Sequence, residues 1–347
     1  MICTSTTSYR RKRWVMSPAD GDAVERLAAE LRLPPILARL LVNRGVTEPA
    51  AAAAFLEPQF RDLHPPALLP NIDIAAERIA RAVRAGEKIM LYGDYDVDGI
   101  TGTAMLWHTL KTAGADVDSY IPHRVEEGYG LNSDAIDGLI DKGTRLLITV
   151  DCGCSAVAPI GRAGSRGVDV IVSDHHEFAP QMPPACALVH PRRHPLDPLA
   201  GTAAPYPNPD LCGAGVAFKL AWAVAQKLCN AERVNQTYRD LLVEFAALVA
   251  LGTVADVVPL TGENRILVKF GLGQLLRTRF EGLRALIAAA GYGSDKKIDC
   301  MAIGFTLGPR LKAAGRMGHA RQAVELLTTA SGDRGHISGL RHRNRCH

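Results

Sequence analysis

Apolar residues fall into two rhythms along this chain. Between positions 88 and 190 they gather in short runs, 88–93, 117–122, 145–150, 168–173 and 187–190, each bounded by polar or glycine residues. Runs this short and this continuously apolar predict buried parallel strands. Helical spacings at 101–113, 133–142 and 155–166 separate the first four runs, so the segment reads as repeated βαβ units. The predicted fold class is α/β, a doubly wound and mostly parallel sheet, whose functional groups gather beyond the carboxyl ends of the strands.

Outside this segment the rhythm is helical. Over 19–46, Leu27, Leu31, Leu37, Leu40 and Leu41 are spaced for buried faces around the breaker Pro34-Pro35, which predicts a small helical N-terminal lobe. An amphipathic segment at 74–85 ends at Gly86. Beyond a Pro-rich excursion at 191–209, helical pattern resumes at 214–228, 238–251, 266–276 and 283–290, making the second half mainly helical. The expected organisation is a basic arm and helical lobe over 1–73, an α/β core over 74–260, a helical segment over 261–330 and a disordered basic tail over 331–347.

Composition narrows the class of protein. With 47% hydrophobic and 22% charged residues, the 347-residue chain is neither disordered nor fibrous as a whole. No apolar run reaches the ~18 residues of a membrane span, and the start lacks a secretory apolar region, so the cytoplasm is the expected address. The net charge of +4 comes from the ends: Arg10 to Arg13 and four arginines from Arg334 onward leave the rest at −4. Basic ends on a mildly acidic body are weak evidence for a nucleic-acid partner. Eight scattered cysteines without a CxxC pair indicate neither a zinc site nor a disulfide frame.

Candidate chemistry follows the strands. The first run leads into Asp94-Tyr95-Asp96-Val97-Asp98, whose three aspartates share one face at the two-residue period of an extended chain. Like charges so placed repel unless a cation neutralises them or protons are taken up; a solvated acidic turn is the bland alternative. An EF-hand loop is excluded because its twelfth position would be Met105 and a strand leads in. The third run ends in Asp151 and the fourth in Asp174-His175-His176, where one imidazole can ligate a metal while the other meets substrate. Asp256 follows an apolar helical stretch in which an unpaired carboxylate would be costly, although a helix-terminal aspartate bonded to backbone amides would fit as well.

Carboxylates with one or two imidazoles suit Mn²⁺ or Mg²⁺ better than a thiolate-seeking metal. An acid shared by two ions roughly 3.5 to 4 Å apart gives the two-metal arrangement used in phosphodiester displacement, with Asp151 as the candidate bridge. Arg124 and Tyr129, among the glycines of IPHRVEEGYG, could hold an anionic, stackable substrate. Arg310, Lys312 and Arg316 place three cations within GPRLKAAGR, a natural phosphate contact, or a charged surface loop.

The blocks LYGDYDVDGITGTA, IPHRVEEGYGL, ITVDCG, SDHHE, LCGAGVAFKL, GTVADVVPL and GPRLKAAGRMG, in this order between about 36 and 327, resemble the DHH phosphoesterase superfamily, in its branch of single-strand-specific exonucleases. The resemblance implies a Mn²⁺- or Mg²⁺-dependent enzyme that degrades single-stranded DNA from the 5′ end to mononucleotides in recombination and repair. Carried over motif by motif, Asp94, Asp96, Asp98, Asp151, His175 and Asp256 would supply metal ligands, with Asp94 and Asp174 in support. Asp151, Asp174, His175 and His176 would form the catalytic group. Arg124, Tyr129, His176, Arg310 and Arg316 would meet the DNA. It further implies a single-strand-binding protein and a recombination helicase as partners, and a monomer is expected. Lys312 stands where the branch usually has asparagine. Its members also continue into a second nucleic-acid-binding domain and an oligonucleotide-binding barrel, so the sequence after Leu327 reads as a truncated or frame-shifted end with impaired activity. Two other readings remain: a phosphodiesterase for short oligonucleotides or small nucleotides, and a silent metal-binding fragment.

Overall fold

A computed structural model describes residues 17–123, 127–128, 130–192, 194–198, 205–293, 296–314 and 320–329. It divides into two compact units, one ending at Pro58 and one beginning at Gln59. The first holds α1 (Gly21–Leu31), α2 (Pro35–Val42) and α3 (Pro49–Leu56) around Leu27, Ala38, Leu41 and Ala52. Asp20 caps α1 by accepting the amide of Asp22 at 3.1 Å. The Pro34-Pro35 breaker starts a helix as well as ending one, since Pro35 occupies the first helical position of α2, where no amide is needed. Leu37 and Leu40, expected on a buried face, are exposed instead, because α2 is two turns long and buries only the stripe of Ala38 and Leu41.

In the larger unit α4 (Ile72–Ala85) precedes β1 (Ile89–Gly93), α5 (Val97–Thr112), β2 (Val117–Tyr120), α6 (Ser133–Asp141), β3 (Leu146–Val150), α7 (Val157–Ser165), β4 (Asp169–Ser173) and β5 (Ala187–Val189). All four strand pairings are parallel, in the order β2-β1-β3-β4-β5. Alternation along the strands sorts their side chains between two cores. Ile89, Leu91, Ile148, Val150 and Ile171 join the main core, with α4, α5 and the helices of the second half. Met90, Tyr92, Leu147, Val170 and Val172 join a smaller one with Ile136 and Leu139 of α6 and Ile160 of α7. The sheet is therefore covered on both faces, as the continuous apolar runs require. β2 departs from this: an edge strand, it buries Val117 but exposes Asp118.

The second half contributes α8 (Gly213–Cys229), α9 (Gln236–Ala255), α10 (Gly262–Leu275) and α11 (Glu281–Ala289). A short α12 (Cys300–Ala302) runs through a π-helical turn, Ile303–Leu307, into α13 (Gly308–Ala314), and α14 (Ala320–Thr328) follows. α8 and the C-terminal half of α9 are buried almost all round, and both helices pack against α5. Inside α8, the fully buried Lys219 pairs with Glu263 of α10, whose other oxygen accepts the Tyr206 hydroxyl at 2.5 Å. No helix among the described residues is long and apolar enough to cross a membrane.

Candidate metal centre

The sheet register sets the acids side by side. Gly93, Val150 and Ser173 are opposite one another at the ends of β1, β3 and β4. The residue after each strand stays on the ladder: Asp94 donates its amide to Val150 O (3.1 Å), Asp151 to Ser173 O (2.9 Å) and Asp174 to Val189 O (3.1 Å). Three carboxylates thus stand in a row at the point where the strand order reverses, between β1 and β3 and beyond.

Helix termini bring the rest. Asp96 caps α5, its Oδ1 accepting the amides of Asp98 (2.8 Å) and Gly99 (3.2 Å). Asp98, in the first turn of α5, accepts the amides of Gly213 (2.6 Å) and Ala214 (2.9 Å), so the positive end of α8 holds this buried anion. Asp256 arrives from the C-terminus of α9, 3.7 Å from Nε2 of His175. The same nitrogen lies 3.7 Å from Asp98 and 3.1 Å from Asp151. His176, three times as exposed as His175 (42% against 14%), is turned by Asp174, which accepts its Nδ1 at 2.8 Å. Asp174 also accepts the amides of Cys154, His175 and His176.

Three overlapping sets of possible ligands result: Asp94, Asp96 and Asp151; Asp98, His175 and Asp256; Asp151, His175 and His176. Within each set one ligand atom per residue lies within 4.8 Å of the others. Asp151 and His175 each belong to two sets. Asp151 adopts a left-handed φ of 63°, uncommon for a residue other than glycine.

Burial and mutual repulsion oppose charge here. Burial, then Asp96, raises Asp94 to about 6; burial, then Asp256 and Asp96, pushes Asp98 up to about 8. Burial and the neighbouring aspartates, Asp98 first, hold Asp151 well above the carboxylate range. Asp256 is raised by burial, against the pull of His175 and Lys312. His175 is lowered by burial. Asp174 behaves oppositely: burial disfavours its charge, but the hydrogen bonds from His176 and Cys154 outweigh it and hold the carboxyl well below its usual range. Its hydrogen bond lifts His176 to about 9 in return.

These residues fit a pair of hard divalent ions. Among the described residues, Oδ1 of Asp94, Oδ1 of Asp151 and Nε2 of His175 are buried polar atoms without a hydrogen-bond partner, a costly arrangement that coordination would relieve. The thiols do not compete for the site: Sγ of Cys152 turns to Tyr92 O, and that of Cys154 to His176 O and Glu177 O.

Of the other predicted site residues, Arg310 is exposed on α13 and donates to Thr306 O at 2.9 Å. Arg124, Tyr129 and Arg316 lie outside the described residues, as do the basic arm and tail. The sequence reading missed Gly213 and Gly252. A Cβ on Gly213 would meet Oδ1 of Asp151 at 2.3 Å, and one on Gly252 would meet Oδ1 of Asp98 at 2.5 Å, so the absent side chains make room for the carboxylates. Their signal was glycine inside helical pattern, in LCGAGVAFKL and GTVADVVPL.

Residues 88–253, which include every strand and the centre except Asp256, match the DHH family, N-terminal domain. The chain contains a DHH family domain. It is 40% identical over 317 residues to the single-stranded-DNA-specific exonuclease RecJ of Bacillus subtilis, an alignment covering 91% of this chain and 38% of that protein. Crystal structures of Thermus thermophilus RecJ are similar too. The Mn²⁺ complex has a TM-score of 0.70 and 34% identity over 89% of this chain and 41% of that one. The Mg²⁺ complex has a TM-score of 0.62 and 32% identity over 89% and 38%. This DHH chain spans 38% to 52% of the length of the RecJ relatives it matches.

Proposed function

We propose that this DHH chain is the catalytic part of a metal-dependent exonuclease that hydrolyses single-stranded DNA from the 5′ end to mononucleotides. The observation that carries this reading is the overlap of the three ligand sets at Asp151 and His175. Asp94, Asp96 and Asp151 would hold one Mn²⁺ or Mg²⁺, and Asp98, His175 and Asp256 the second, with Asp151 between them. The bound ions supply water activation and charge neutralisation at the phosphate and leaving oxygen. RecJ relatives crystallised with Mn²⁺ and with Mg²⁺ support that choice of metal.

The chain's own groups do the rest. Asp174 fixes His176 through Nδ1 and keeps the ring cationic at neutral pH, which suits the ring to an anionic phosphate. His175 is kept neutral by burial, with its Nε2 lone pair open to a metal. Lys312, on α13, brings positive charge to the Asp256 side of the centre, and Arg310 of the same helix is a proposed phosphate contact. Arg124, Tyr129 and Arg316 complete the proposed DNA contacts. The catalytic unit is placed over 74–260, with a phosphate-holding segment over 261–330. The proposed setting is a cytoplasmic monomer acting in recombination and repair, with a single-strand-binding protein and a helicase as partners by family resemblance.

The test is release of mononucleotides from a 5′-phosphorylated single strand, with and without Mn²⁺, in parent and Asp151→Ala. The reading predicts Mn²⁺-dependent release that Asp151→Ala abolishes. Equal hydrolysis in both would refute it, and faster turnover of a dinucleotide than of a long strand would assign a short-oligonucleotide phosphodiesterase instead.

A further inference from the structure

Two buried histidines outside the ligand sets repeat one hydrogen-bonding pattern. His190, just after β5, is 1% exposed, and His194 is 3% exposed. Nδ1 of His190 accepts the amide of Arg192 at 2.9 Å, and Nδ1 of His194 accepts the amide of Leu196 at 3.1 Å, each two residues along the chain. The opposite nitrogen faces a carbonyl of the loop that carries the catalytic pair: Nε2 of His190 lies 2.9 Å from His176 O, and Nε2 of His194 lies 3.2 Å from Ala179 O. A carbonyl oxygen can only accept, so the contacts at Nε2 need a proton there; Nδ1 of His190 also lies 3.0 Å from Arg192 O, but the amide of Arg192, at 2.9 Å, gives that nitrogen a donor to accept from. Phe178 sits between them, its ring centroid 4.3 Å from that of His190 and 4.9 Å from that of His194.

This double fastening lies where the chain most needs it. The connection from Asp174 to Cys186 contains no helix, yet it must present His175 and His176 at the ends of β3 and β4. Asp174 fixes its first residues through their amides; nothing in that contact fixes the carbonyl side. His190 holds the carbonyl of His176 itself, and His194 holds the loop three residues further on. Partners behind a ligand set its orientation.

We propose that His190 and His194 form an imidazole clamp that sets the position of His175 and His176 at the metal centre, as positioning residues for the proposed reaction. The inference rests on the metal-centre reading for its catalytic consequence, but not for its geometry. Two arms separate them. In the metal-free protein, long-range ¹⁵N spectra should give the Nε2–H tautomer for both histidines, and His190→Ala should displace the ring resonances of His175 and His176. In the second arm, calorimetric Mn²⁺ titration and strand hydrolysis should show Mn²⁺ affinity and kcat each falling about tenfold in His190→Ala. KM for the strand should change less than about threefold, and His190→Gln, which keeps a donor, should recover most of the loss. Should His190→Ala fail to fold, His194→Ala carries the same readings. Nδ1–H tautomers, or unmoved His175 and His176 resonances with unchanged Mn²⁺ affinity in a folded variant, would overturn the clamp. A parent that binds no Mn²⁺ while the first arm holds would overturn the metal-centre reading and leave the clamp standing.

Discussion

At the residue scale the centre is a store of unfavourable charge that only a ligand relieves. Asp94 and Asp98 have folded values of about 6 and about 8, above those of an unfolded aspartate, so the native state binds more protons than the unfolded state across that interval. Their contribution to stability is present at low pH and lost as pH rises through the folded values. His176, raised to about 9, acts in the same direction above its unfolded value, whereas His175, lowered by burial, acts only below about 6.5. The metal-free protein should therefore lose several degrees of Tm between pH 6.5 and 8.5 in EDTA, and Mn²⁺ should restore them at pH 8.5, where protons compete least. A Tm that rises with pH in EDTA would contradict this. Gly213→Ala tests the same crowding by volume, since its Cβ overlaps Oδ1 of Asp151. Hydrolysis should fall on the order of 100-fold as the carboxylate is displaced; unchanged activity would mean that Asp151 is free to move. The acids were legible because each ends an apolar run, but the glycines were not, since what they avoid lies on another element.

Among the elements, most of the βα alternation could be read because the core strands are buried on both faces and so carry continuous apolar runs. β2 was legible from its run at 117–122 although, at the sheet edge, it is half polar; reading failed at α3, which is rich in alanine and lacks the polar alternation that marks an amphipathic helix. α8 is more than a core helix, because its first amides hold Asp98 while its middle carries the buried Lys219 against Glu263. Lys219→Met should leave the Glu263 carboxylate unpaired and cost about 3–5 kcal/mol in denaturant unfolding. Adding Glu263→Gln should recover much of that loss. If the single variant unfolds like the parent, the pair does not anchor α8.

On the scale of the whole molecule, the sequence foretold a parallel sheet but not its order, and the order puts the centre where it is. Placing β1 next to β3 joins Asp94 to Asp151, while β4 on the other side of β3 adds Asp174, His175 and His176. Asp256 comes from a helix about 80 residues beyond the last of these. Its apolar surroundings marked it as a carboxylate in need of a partner, but only the ordered motifs, taken together, joined it to the other acids. The central claim is that these scattered groups form one cage for two neighbouring ions. Its most direct test is a Mn²⁺ titration of the metal-free protein followed by electron paramagnetic resonance. Two ions per chain with the spectrum of a coupled pair are predicted, and Asp151→Asn should lose that coupled signal. A single isolated ion in the parent, or a coupled pair that survives Asp151→Asn, would contradict it.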